Sequence, residues 1–191
     1  MWRRVWQRLM PPPDAALVLD QLNRQLAVLE GARAELEAGW VQGGWWATGS
    51  DDGSARLATG FAAAGGHPDH VDGVCLVGAI VRAGSQLSVA GSDAACAEIG
   101  RAVDAVYDAL WASRGQPDAR PPGKLAPVPS PDVRLARVRT LTRWNDQAGR
   151  SQGEILAVVD RAISATIMDL MSVPRPAQAG PGDTRQRVIT S

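Results

Sequence analysis

Residues 14–39 read DAALVLDQLNRQLAVLEGARAELEAG. Val18, Leu22, Leu26 and Leu29 recur every three or four positions, Leu36 follows one heptad after Leu29, and Arg33 takes the skipped turn. Side chains spaced this way share one face of a helix, so the pattern predicts an amphipathic helix with a single apolar stripe. Asp14 is suited to accept from the free amides of a first turn and Gly39 to end the last, which sets the helix at about 14–38. A helix of this kind has to bury its stripe against other elements.

The rest of the chain supplies those elements. Residues 40–71 contain Trp40, Trp45, Trp46, Phe61 and seven glycines without a sustained period, and WWATGSDDGSARLATGF (45–61) reads as a hairpin turning at Asp51, Asp52 and Gly53. Asp72 then precedes GVCLVGAIVRAG, a compact apolar run expected to be a buried helix ending near Gly84. Ser92 opens a helix whose stripe is Cys96, Ile99, Val103, Val106 and Leu110, ending near Trp111. Residues 113–131 hold six of the 13 prolines and few apolar side chains, which predicts a linker or long loop. A helix follows over about 132–144 with Val133, Val138 and Leu141 inward, and Ser151 with Glu154 makes a capping box for a last helix through Ile155, Val159, Ala162, Ile163, Ile167 and Leu170. The fold class is therefore mainly α: one small bundle of four to five helices over 14–172, with a Gly/Trp-rich loop or short hairpin after the first long helix. Outside it, MWRRVWQRLM (1–10) reads as a short amphipathic helix followed by a stiff spacer at Pro11–Pro13, and 173–191 as a disordered tail.

Composition narrows the function classes. A chain of 191 residues and 20.2 kDa that is 45% hydrophobic can bury about 70% of its surface, enough for a real core. No apolar run approaches the ~20 residues of a membrane span, the N-terminus carries charges where a signal peptide needs apolar residues, and two cysteines make no disulfide scaffold, so a cytoplasmic protein with reduced thiols is expected. The zero net charge is uneven: +3 over 1–13, −8 over 14–112, +3 over 113–172 and +2 beyond. Such an acid-then-base layout suits complementary packing or a surface of two signs. It gives no strong nucleic-acid signal, since Arg139 and Arg143 share an outer face while Arg134 and Arg137 project towards the apolar arc.

Several constellations carry chemistry. His67, His70, Cys75 and Cys96 form a zinc-type donor set, although the spacing is not that of a zinc finger and both cysteines lie on apolar stripes. With Asp72 as N-cap, Cys75 falls in a helix's first turn, where the dipole favours a thiolate; His70 as base and Asp146 as orienter would complete a nucleophile. Its apolar neighbours Val74, Leu76 and Val77 argue instead for burial, and Asp72 opposes the anion. Trp40, Trp45, Trp46 and Trp144 either line a groove for a flat ligand or fill a core short of other aromatics. At Trp144-Asn145-Asp146, tryptophan would anchor a helix end, asparagine take a left-handed conformation and aspartate hold loop amides, or Asn145 and Asp146 would form the polar lip of a pocket floored by tryptophan.

Three segments in order, Gly39-Trp40-Val41-Gln42-Gly43, Cys75-Leu76-Val77-Gly78-Ala79-Ile80 and Trp144-Asn145-Asp146 with Arg150 and Ser151 before the last helix, resemble a functionally uncharacterised family of small actinobacterial and phage domains. The resemblance runs from about 22 to 168. The chain departs from the family pattern in a longer stretch between Gly43 and Cys75 that carries His67 and His70, and in its proline-rich insert and both ends. The resemblance implies a cytoplasmic actinobacterial protein and supplies no activity.

The reading that follows is a helical binding or protein-interaction module whose site gathers Trp40, Gln42, Cys75, Trp144, Asn145 and Asp146, taking an unidentified protein or small ligand and no cofactor. A thiol-dependent enzyme or zinc site centred on Cys75 is the alternative, and a peripheral contact through residues 1–10 a third.

Overall fold

A computed structural model describes residues 15–49, 55–58, 70–87, 93–113, 115 and 128–174. The expectations for 1–13, for the hairpin turn at Asp51–Gly53, for most of the proline-rich segment and for the tail from 175 lie outside them, as does His67. The chain is mainly helical, with α1 (Ala15–Ala38), α2 (Leu76–Leu87), α3 (Asp93–Ala112), α4 (Pro131–Asn145) and α5 (Gln152–Ser172).

Between α1 and α2 lies a three-stranded antiparallel sheet of β1 (Trp46–Gly49), β2 (Ala55–Ala58) and β3 (Gly73–Val74), in the order β2-β1-β3. Trp46 faces Ala58 on one side and Val74 on the other, so the expected hairpin is present and is extended by a short third strand. Gly73 and Val74 are that strand, which corrects the helix expected to begin after Asp72: the helix starts at Leu76 and runs on to Leu87.

The central element is α1. Six of its seven buried positions, Val18, Leu22, Gln25, Leu29, Ala32 and Leu36, alternate steps of four and three, the seam that keeps one side of a helix facing its neighbours, and Val28 widens it beside Leu29. This seam packs against α2, α3 and α5. Gln25 takes the place in the seam that spacing alone gave to Leu26, and its Nε2 donates to Thr166 Oγ1 of α5 at 2.9 Å, so the buried amide is matched by a hydroxyl. Arg33 reaches across the rim to Asp160 at 2.7 Å and along its own helix to Glu37 at 2.8 Å.

The main core joins Val28, Leu29 and Leu36 of α1 to Leu76, Val77 and Ile80 of α2, Val103 and Val106 of α3, Leu141 and Trp144 of α4, and Ile155, Val158 and Val159 of α5. A second small cluster, Val18, Leu22 and Val173, closes the opposite end of α1. Three expected inward residues face out: Cys96, Val133 and Ile167 are exposed. At α4 the inward places of the first turns go to Arg134 and Arg137, which pair with Asp104 and leave Val133 on the outer side.

Leu29→Ala empties a fully buried site and is expected to cost roughly 2–5 kcal/mol in urea unfolding, whereas Met171→Ala, on an exposed turn of α5, should stay within about 0.5 kcal/mol.

Candidate functional site

The three sequence segments meet at one side chain. Asn145, the last residue of α4, is fully buried. Its Oδ1 accepts from Trp40 Nε1 at 2.9 Å and from the backbone amide of Leu76 at 3.2 Å. Its Nδ2 donates to the Val41 carbonyl at 3.1 Å and to Asp146 Oδ1 at 2.8 Å. Two donors on one side and two acceptors on the other fix which way the carboxamide points, and all four of its hydrogen bonds are made. Around it Gln42 Nε2 donates to the carbonyls of Asn145 and Gln147 at 2.8 and 3.0 Å, and the Gly43 amide donates to Asp146 Oδ1 at 3.0 Å. Gly43 has φ +75°, a conformation that suits glycine and turns its amide towards that carboxylate.

Local sequence explains how the partners arrive. The Gly39 carbonyl accepts from the Val74 amide at 3.0 Å, and the Val41 amide donates back to Val74 at 3.1 Å, which holds the segment after α1 alongside β3. A Cβ on Gly39 would overlap the Asp72 carbonyl, and one on Gly78 would overlap that of Trp45. Both glycines are places where two backbones touch.

Cys75 occupies the N-cap position of α2. Its amide donates to the Trp45 carbonyl at 2.9 Å, its carbonyl accepts the first helical bond from Ala79 at 2.9 Å, and its Sγ accepts from the Gly78 amide at 3.3 Å. Sγ and Asn145 Oδ1 thus take two of the first-turn amides of α2. The expected Asp72 cap is corrected: its amide donates to Ala47, and its carboxylate lies 3.5 Å from the exposed His70 Nε2. Nor is Asn145 left-handed, because no described residue other than glycine has positive φ; Gly149, at φ +81°, follows in the loop.

These positions decide the chemistry of the thiol. Burial pushes the Cys75 thiol from an ordinary 9.0 up to about 11, against the lowering effect of the Gly78 and Val77 amides, and the charge of Asp146 adds to the rise. A capping thiol held protonated is not a prepared nucleophile. Asp146 is already bonded to Gly43 and Asn145, so it does not orient a base. Cys75 is buried and Cys96 exposed, and among the described residues no three His, Cys, Asp or Glu side chains are grouped to hold a metal ion.

All six expected binding residues are therefore brought to one knot, where Cys75, Trp144 and Asn145 are buried and Asp146 is exposed. Trp46 is buried, Trp45 stands edge-on to it with ring centroids 6.3 Å apart, and Trp40 is half-buried against the core, so the tryptophans chiefly fill the interior. Sequence reasoning missed how much Arg150 does. Its guanidinium lies 4.4 Å above the Trp144 ring, its Nε donates to the Trp144 carbonyl at 3.3 Å, and its Nη1 pairs with Glu154 at 2.7 Å. The signal was the four-residue spacing of Arg150 and Glu154 across the capping box. Beside this stack opens a cleft of about 250 Å³ lined by Leu110, Ser113, Trp144, Arg150, Glu154, Ala157 and Arg161.

Asn145→Ala orphans the buried Leu76 amide and the Trp40 indole together, so its expected cost is roughly 3 kcal/mol or more by denaturant titration. Asn145→Asp places a carboxylate against the Val41 carbonyl and Asp146, which raises its folded-state pKa. Its stability should therefore be best in acid and fall as pH rises through the carboxylate range. For the thiols, a maleimide at neutral pH should label Cys96 quickly and Cys75 only upon unfolding. The raised Cys75 pKa contributes stability that is intact below pH 9.0 and lost as pH climbs towards about 11.

Among the described residues no helix is long and apolar enough to cross a membrane. No curated protein and no solved structure matches the chain. One family model does match, over residues 21–165, a span that contains most of α1, all of α2 to α4, the knot and most of α5. The chain belongs to DUF6197, a family of unknown function.

Proposed function

We propose that the domain is a binding module whose ligand contact is the cleft beside Trp144. The hydrogen-bonded knot builds the wall of that cleft and does not itself touch the ligand. Every donor and acceptor of the Asn145 carboxamide is used internally, which leaves little for an incoming group to bond. The carrying observation is the cleft itself, which opens against the Trp144–Arg150 stack, where the knot reaches the surface.

Its lining suggests the ligand. Leu110, Trp144 and Ala157 offer apolar surface, while Arg150 is engaged by Glu154, Gln147 and the Trp144 carbonyl. Arg161 has no hydrogen-bond or ion-pair partner among the described residues, and it supplies the uncommitted charge at the edge. A small molecule or a partner's side chain with an apolar body and one carboxylate fits this combination. The free Cys75 and Cys96 thiols accord with work in a reducing cytoplasm, which belongs to the same proposal.

Titration of the ¹⁵N-labelled protein with benzoate and hexanoate is expected to move amides along the cleft with a Kd of about 1 mM or tighter. Arg161→Glu and Ala157→Phe, neither of which touches the knot, should each weaken that binding at least tenfold while the protein stays folded. Amide shifts that never saturate, or that are the same in all three proteins, would remove the cleft from consideration.

A further inference from the structure

The cleft beside Trp144 has two chemically different ends. Glu154 and Arg161 both line it from α5. They share one face of the helix two turns apart, so their backbones lie about 10 Å from each other along its axis. Ala157 stands between them and is small, and Leu110 of α3 lines the same middle stretch, which is therefore apolar.

Helix directions place the remaining polar group. Gln25 of α1 bonds Thr166 of α5, and its neighbour Arg24 bonds Glu98 of α3, so Glu98 and Thr166 lie at one level of the bundle. Leu110 and Ala157 meet at the cleft, later in α3 and earlier in α5, so these two helices run in opposite directions. Ser113, beyond Leu110, thus belongs to the Glu154 end and not to the Arg161 end.

At the Glu154 end the side chains offer lone pairs. Ser113 spends its amide on the Ala109 carbonyl at 3.3 Å and its hydroxyl hydrogen on the Leu110 carbonyl at 2.6 Å, so its oxygen can only accept. Glu154 is half-exposed, and its carboxylate accepts from Arg150 Nη1 at 2.7 Å and the Ser151 amide at 2.9 Å with lone pairs to spare. Arg150 itself is committed through Nε, Nη1 and Nη2 to the Trp144 carbonyl, Glu154 and Gln147. The last turn of α3 adds the negative end of a helix dipole. Arg161, by contrast, has no hydrogen-bond or ion-pair partner among the described residues.

We propose that the ligand is a small acid with a hydrogen-bond donor at the end remote from its carboxylate. The carboxylate pairs with Arg161, the body lies over Ala157 and Leu110, and the donor bonds Ser113 Oγ and the Glu154 carboxylate. This rests on the cleft being the ligand site, and it adds a second polar group and a single orientation. The reverse orientation would set the carboxylate against Glu154 and the α3 terminus. No internal side chain of a protein carries both groups, so the occupant is a free molecule or the last residue of a chain that ends in one such as tyrosine. A volume of about 250 Å³ lies below the usual range of ligand sites and admits nothing larger. Groups placed to bond a hydroxyl discriminate against the analogue that lacks it.

The test titrates the full chain with phenylacetate, para-hydroxyphenylacetate and para-methoxyphenylacetate at neutral pH, read by amide shifts. The phenol stays protonated there, so the three ligands have equal charge and differ only at the distal group. The hydroxyl compound is expected to bind at least about fivefold more tightly than the other two. In Ser113→Ala combined with Glu154→Gln that preference should fall below twofold. The glutamine keeps the capping box with Ser151, so the variant folds, while its amide turns a donor towards the cleft. Arg161→Glu should weaken all three ligands. Equal affinities in the wild type, a preference for the methoxy compound, or a preference that survives the double variant overturns the distal donor and leaves the cleft in place. Binding by none of the three, nor by benzoate or hexanoate, overturns the cleft itself. The peptide Gly-Gly-Tyr separates the two sources: tighter binding than para-hydroxyphenylacetate assigns a polypeptide terminus, and weaker binding a free acid.

Discussion

The constraint on which this domain depends is the saturation of one buried carboxamide. Asn145 has no access to water, so every hydrogen bond it fails to make would be lost outright. Making all four requires Trp40, Val41, Leu76 and Asp146 to converge, and these come from the segment after α1, the start of α2 and the end of α4. A single polar group thereby sets the relative positions of three helices, which apolar packing does less sharply because hydrophobic contact has no direction. Arg150 extends the arrangement outward, tying the end of α4 to the first turn of α5 through Trp144 and Glu154.

Much of the fold was legible because helical periodicity reports burial directly. The first and last helices and the capping box at Ser151 and Glu154 stand where spacing put them. Errors arose where a polar residue takes an inward place or a small one does. Gln25 and Ala32 hold the α1 seam in place of Leu26 and Arg33, because Thr166 satisfies the amide. Along α4 Arg134 and Arg137 turn inward to a shared aspartate, on the side where the helical wheel placed them, and Val133, expected inward, is exposed. Gly73 and Val74 were absorbed into a helix since a two-residue strand has no period to detect.

The candidate site was legible as a meeting place and much less so as chemistry. Polar residues beside tryptophan at two distant points did indicate convergence, and the indole of Trp40 does reach Asn145. What the letters could not carry was the direction of each bond. Cys75 is a cap whose sulfur accepts an amide hydrogen, and burial outweighs the lowering effect of the first-turn amides on its pKa. Gly39 was legible as a helix stop and Gly78 was not, and neither showed in the letters the neighbouring carbonyl that a Cβ would overlap.

The bond between Gln25 and Thr166 joins residues 141 positions apart, and the Asn145 contacts span about 70 to 105. A ribosome adding 5–20 residues per second needs roughly 7–28 s to make the partner of Gln25 after Gln25 itself. Throughout that interval the apolar seam of α1 has no finished docking surface, and until Asn145 is made α2 lacks the group that completes its cap. A chain that ends before residue 145 can therefore make neither the Asn145 contacts nor the bond between Gln25 and Thr166.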